Sequence, residues 1–229
     1  MDADDQVGGI EALYPFLYAD ASNVDAVLAE VRRSTVAKAA EIVALREEVF
    51  DLHAERLVAC AEAMAASFAA GGRLFAFGNG GSSTDAQDVV NTFLHPGLPT
   101  GPAVRPLPAL SLTGDVAVLT ALSNDVGFDV VYARQIAAFS RAGDIAFGLS
   151  TSGGSANVLR AFDEASRRGL VTVGLAGYDG GQMADADTID YLFVVPSSSV
   201  HRIQEAQTTL YHVLWELTQT ALEGRGAKL

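Results

Sequence analysis

Three consecutive hydroxyl residues, Ser150-Thr151-Ser152, run directly into Gly153-Gly154-Ser155. An apolar stretch, Ile145–Leu149, precedes them, and a helix-like segment follows as far as Arg168. Hydroxyls donate to phosphate oxygens, glycines let the backbone approach closely, and the start of a helix favours an anion. The segment therefore holds the parts of a phosphate-binding turn. Ser155 by itself would be read as a helix N-cap. Three more hydroxyls and two glycines exceed what a cap requires, so phosphate binding is the expectation.

A second turn, Gly78-Asn79-Gly80-Gly81-Ser82-Ser83, follows the apolar run Arg73–Phe77. It lacks the third glycine of G-x-G-x-x-G, and no Gly-Lys-Ser/Thr follows it, which argues against dinucleotide and nucleoside triphosphate cofactors. Asn79 carries both an amide donor and a carbonyl acceptor that suit sugar hydroxyls. Cys60 is the one cysteine, so neither an internal disulfide nor a thiolate metal cluster is expected.

Both turns need a scaffold that delivers them to one place. From about Val24 to Ala70 the pattern is helical, with Ile42, Leu45, Val49, Leu52, Leu57, Cys60, Met64 and Phe68 forming one apolar stripe. After Gly71-Gly72 the rhythm changes to short apolar runs, each ending in small or polar residues and followed by a helical pattern. The five runs are Arg73–Phe77, Ala109–Leu112, Ile145–Leu149, Leu170–Leu175 and Ile189–Val194, and a last helix spans about His201 to Leu222. Continuous apolar runs alternating with helices predict an α/β fold, a three-layer doubly wound five-stranded parallel sheet. In such a sheet, ligands bind at the carboxyl ends of the strands, where strand order reverses. The stretch Leu94–Pro108, with five of the seven prolines, is expected as a loop, and the Gly224–Leu229 tail as frayed.

The chain has 229 residues, 49% of them hydrophobic, enough for one sizeable core, and no run suited to a membrane span. The acidic opening Met1-Asp2-Ala3-Asp4-Asp5 lacks the basic and apolar regions of a secretory signal, so a cytoplasmic protein is expected. A net charge of −13 repels polyanions and speaks against direct nucleic-acid binding. It does not oppose one phosphate held by local N–H and hydroxyl groups.

Taken in order, Gly78-Asn79-Gly80-Gly81-Ser82, Leu149 to Val158, Gly177-Tyr178-Asp179-Gly180-Gly181 and Arg202-Ile203-Gln204-Glu205 resemble the phosphoheptose isomerases of the SIS (sugar isomerase) superfamily. The resemblance runs from about residue 30 to 222. It implies a five-stranded parallel sheet of flavodoxin-like order with a helical N-terminal arm (residues 1–70, part of the same domain) and a phosphosugar-binding domain over residues 71–229. It also implies a homotetramer with active sites between subunits, and a phosphorylated sugar as ligand. By the same resemblance Ser150, Thr151, Ser152 and Ser155 hold the phosphate, Asn79 and Ser82 contact the sugar, and Asp115 lines the site.

The family carries a zinc-binding His and Glu four residues apart on the helix after Gly-Asn-Gly-Gly-Ser, the Glu doubling as base. Those positions read Asp88 and Thr92 here. Asp88 retains metal-ligating ability, whereas a threonine hydroxyl does not replace a carboxylate base. Gln204 and His212 match the family's other two metal positions, His212 being the second acid/base group. Eight helical residues separate them by about 12 Å. Either Gln204 precedes the helix proper, or the site combines subunits. His201 stands where the family has an acidic residue and offers a replacement base or ligand, or only a helix cap. The expected function is a ketose–aldose phosphate isomerase with an altered metal and base site, zinc being partly provided for. The alternative is a non-catalytic sugar-phosphate sensor or an adaptor for a protein partner, similar to the DnaA initiator-associating proteins.

Overall fold

Leu74–Gly78 (β1) and Ile145–Ser150 (β3) are buried at every residue, the pattern of strands covered on both faces. The computed structural model describes residues 24–95 and 104–226. Its elements run in the order α1 (Val24–Ala69), β1, α2 (Gly81–Leu94), β2 (Ala109–Ser111), α3 (Val116–Asp125), a 3-10 turn (Phe128–Val130) and α4 (Val131–Phe139). Then come β3, α5 (Ala156–Arg167), β4 (Val171–Gly177), the single turn α6 (Gly181–Ala184), β5 (Tyr191–Val195) and α7 (Val200–Gly226). All strand pairs are parallel and the sheet order is β2-β1-β3-β4-β5. This is the doubly wound, flavodoxin-like order expected. The chain leaves β1 for one edge and returns to β3, so the loops after β1 and β3 flank the point where strand order reverses.

The described residues fall into two units divided between Ala44 and Leu45. In the first, α1 exposes Val27, Leu28, Val31, Val36 and Val43. In the second, α1 from Leu45 onward buries Leu45, Val49, Leu57, Cys60, Met64 and Phe68. Leu52 departs from the expected stripe and is 60% exposed. The four-residue step from Val49 to Leu57 passes through His53 instead, whose Nε2 lies 2.9 Å from the carbonyl oxygen of Val194. Arg56 donates to the carbonyl of Leu192 at 2.9 Å. Together they satisfy the outer backbone of β5, the edge strand, which would otherwise be open to pairing.

On the face of the sheet that carries α4 and α5, Phe77 meets Phe162 edge-on at 5.3 Å and Tyr132 at 5.6 Å between ring centroids. Gly148, in mid-β3, leaves them room: a Cβ there would lie 2.5 Å from Phe162 and 2.7 Å from Phe77. Among the described residues no helix is long and apolar enough to cross a membrane. The acidic opening, the final residues of the tail and residues 96–103 of the proline-rich loop lie outside the described residues.

Candidate functional site

Ser150 closes β3 and is buried, and its hydroxyl lies 3.0 Å from that of Ser155 and 3.5 Å from that of Ser152. Ser155 occupies the N-cap position of α5, yet its side chain makes no cap hydrogen bond. The capping alternative therefore falls, and the hydroxyl instead joins a cluster of three at the start of α5. The first N–H groups of a helix have no intrahelical acceptor, so they add donors beside these hydroxyls. Thr151, half-buried, uses its carbonyl to accept from Gly177 N at 3.0 Å. Gly153 has φ +63°, and a Cβ there would fall 1.9 Å from the carbonyl oxygen of Gly180. Only glycine lets the loops after β3 and β4 approach this closely.

The loop after β1 lies alongside. Asn79 and Asn157 exchange two amide hydrogen bonds, both 2.8 Å. The hydroxyl of Tyr132 donates to the carbonyl of Gly78 at 2.6 Å and lies 3.2 Å from Asn79 Oδ1. Burial pushes the Tyr132 phenol up to about 12. Ser82 is buried at the start of α2, packed under Gly78. Asp115, exposed, caps α3 by accepting from Val118 N at 3.0 Å.

Along α2, the side chains of successive turns meet α7. Gln204 lies against the start of α2, so close that a Cβ on Gly81 would stand 2.2 Å from its Nε2, which also donates to Asp85 at 3.1 Å. Burial raises the pKa of Asp85, the hydrogen bond from Gln204 opposes that, and the nearby Asp88 charge adds to it. One turn on, the buried Tyr211 donates to Asp88 at 2.6 Å. Burial and the Asp88 carboxylate both push the Tyr211 phenol upward, so it stays a neutral donor. His212 Nδ1 donates to the carbonyl of Thr208 at 2.8 Å, which leaves the lone pair on Nε2. Thr92 is half-buried on α2.

Gln204 lies in the second turn of α7, so it does not precede the helix, and the first of the two expected alternatives is overturned. His201 is exposed at the second residue of α7, about 16 Å along the helix from His212. Among the described residues, no three His, Cys, Asp or Glu side chains cluster as a metal site. Asp88, Gln204 and His212 offer one carboxylate, one amide and one imidazole, with one Asp88 oxygen held by Tyr211 and the Gln204 amide nitrogen by Asp85. Within a single chain that set does not fit a resident zinc.

Sequence reasoning missed Tyr132 and Asn157 as members of this network. Asn157 stood within the recognised motif, but its partner lies 78 residues away, and Tyr132 is 53 residues from Asn79. Its only signal in sequence is an aromatic residue near the start of a helix. His53, which carries no motif in the sequence, latches the sheet edge through the Val194 backbone.

The SIS domain profile matches residues 39–177. Phosphoheptose isomerase from Nitratidesulfovibrio vulgaris is 41% identical over 189 residues, covering 82% of this chain and 88% of that protein. The same enzyme from Solidesulfovibrio magneticus is 44% identical over 177 residues, covering 77% and 84%. Among solved structures, phosphoheptose isomerase from Neisseria gonorrhoeae has a TM-score of 0.75 at 35% identity, covering 83% of this chain and 99% of that one. With most of both sequences matched and the sheet order in agreement, this chain belongs to the phosphoheptose isomerase family of SIS-domain proteins.

Proposed function

We propose that this chain is an aldose–ketose isomerase acting on a phosphorylated sugar of the sedoheptulose 7-phosphate kind, with the metal and base site of its family altered. The observation that carries the reading is the cluster of Ser150, Ser152 and Ser155 hydroxyls at the start of α5, with Ser155 released from capping. The phosphate binds there and at Thr151, on the positive end of the α5 dipole. Asn79 meets the sugar, with Ser82 and Asp115 shaping the turns beside it. The functional domain is residues 71–229, with residues 1–70 as its arm, in a cytoplasmic protein.

Isomerisation moves a proton between C1 and C2 and needs a base, an acid and stabilisation of the enediolate. His212 is the proton carrier, because its Nδ1–H is fixed on Thr208 and its Nε2 is free to accept. His201 is the second candidate. The distance between the two along α7 supports an active site completed between copies of the chain, in a homotetramer. Zinc on Asp88, Gln204 and His212 would need further ligands from such a partner, and the proton steps assigned to this chain do not depend on it.

The test is turnover of sedoheptulose 7-phosphate by the purified protein, with and without added zinc. Turnover that His212→Ala abolishes, while sugar-phosphate binding persists, supports the reading. Binding without turnover across a panel of ketose phosphates sinks it in favour of a sensor, and recovery of a stoichiometric protein partner would identify an adaptor.

A further inference from the structure

Asn157 and Tyr132 are almost fully buried, 2% and 3% exposed, yet both spend their polar atoms on the loop that carries Asn79. Asn157 is the second residue of α5, the helix whose start holds the hydroxyl cluster. Its amide and that of Asn79 form two antiparallel hydrogen bonds. One bond would leave the Asn79 amide free to turn about its last torsion, whereas two fix its plane.

An asparagine amide has two N–H donors and one oxygen with two lone pairs. Asn79 spends one donor and one lone pair on Asn157, and its outer edge faces the Tyr132 hydroxyl at 3.2 Å, so one polar valence of the amide is left over. That valence is held in a fixed plane beside the phosphate-binding helix, where it can meet a sugar oxygen.

We propose that Asn157 and Tyr132 are positioning residues, holding Asn79 so that the unused edge of its amide meets the reacting end of the sugar. Because Asn157 rides on the phosphate-binding helix, the amide pair sets the span between the phosphate grip and that amide. Substrates are then selected by the reach from phosphate to carbonyl. The inference rests on the reading of Ser150–Ser155 as the phosphate loop.

A double-mutant cycle separates positioning from simple structural support. Wild type, Asn79→Ala, Asn157→Ala and the double variant are compared for kcat and KM on sedoheptulose 7-phosphate, for binding of that sugar by calorimetry, and for inhibition by inorganic phosphate. Asn157→Ala is expected to lower kcat/KM about tenfold, the scale of one lost hydrogen bond, while inhibition by inorganic phosphate is unchanged. In the Asn79→Ala background it should cause no further loss. Tyr132→Phe, which keeps the ring, should act in the same direction and give the same non-additivity, and it carries the cycle if Asn157→Ala does not fold. Additive losses, or phosphate inhibition weakening in step with KM, overturn the proposal while the site reading survives. A wild type that neither binds nor turns over the sugar phosphate overturns the site reading itself, and this proposal with it.

Discussion

Asp85 sits half-buried at the junction of α2 and α7, where burial raises its pKa, the Gln204 amide partly offsets that and Asp88 reinforces it. A carboxyl whose folded pKa exceeds its unfolded value contributes stability that is complete below the unfolded pKa and is lost as pH rises through the folded one. The ionised form at neutral pH is therefore a burden on the fold. Asp85→Asn keeps an oxygen to accept from Gln204 and removes the charge. It should melt at a higher temperature than wild type at neutral pH, and the gap should close as pH falls below the ordinary carboxylate range. Thermal melts of both proteins across that range check this, and a gap that widens in acid would refute it. At this scale the sequence is a good guide to chemical type and a poor one to partnership. The serines and glycines of residues 150–155 declare their chemistry locally. The pairing of Asp85 with Gln204, or of Tyr211 with Asp88, spans more than a hundred residues and depends on how two helices cross.

The strands and helices follow from apolar runs and their lengths, and all five strands lie where those runs stand. What the runs do not disclose is which small residue makes room for a neighbour. Gly148 looks like a weak point in β3, since glycine loses more entropy on ordering than any other residue. Its place is dictated by Phe77 and Phe162, which close over the position a Cβ would take. Gly148→Ala should therefore destabilise the protein by about 1–3 kcal/mol through overpacking. Urea unfolding measures it, and a neutral or stabilised variant would show that the two rings can part freely. The α1 stripe teaches the same lesson from the other side. Hydrophobicity alone selects Leu52, but the four-residue step selects His53, a polar residue whose ring is used on the backbone of β5. Periodicity outranks residue type where an edge strand needs a partner.

For the molecule as a whole, fold class and sheet order were legible because alternation of buried runs with helices leaves few topologies open. The site was less legible, because Gln204 and His212 stand two turns apart on α7 and their partners, Asp85 on α2 and the Thr208 carbonyl, follow from how the helices pack rather than from any local pattern. Net charge has a consequence at this same scale. On the proposed reading a chain at −13 must admit a dianionic phosphate, held by hydroxyls and N–H groups that carry no net charge. Approach would then be opposed by the long-range field, while binding is local. The Debye length is about 30 Å at 0.01 M salt and about 8 Å at 0.15 M, so added salt screens the repulsion without touching the contacts. Raising sodium chloride over that range should increase kcat/KM for the sugar phosphate by roughly two- to fivefold, the reverse of an electrostatically steered enzyme. Steady-state kinetics at several chloride concentrations read this directly, with kcat expected to stay level. A fall in kcat/KM would mean that basic side chains near the mouth of the site dominate the field, and that the phosphate is drawn in by charge rather than held by hydroxyls alone.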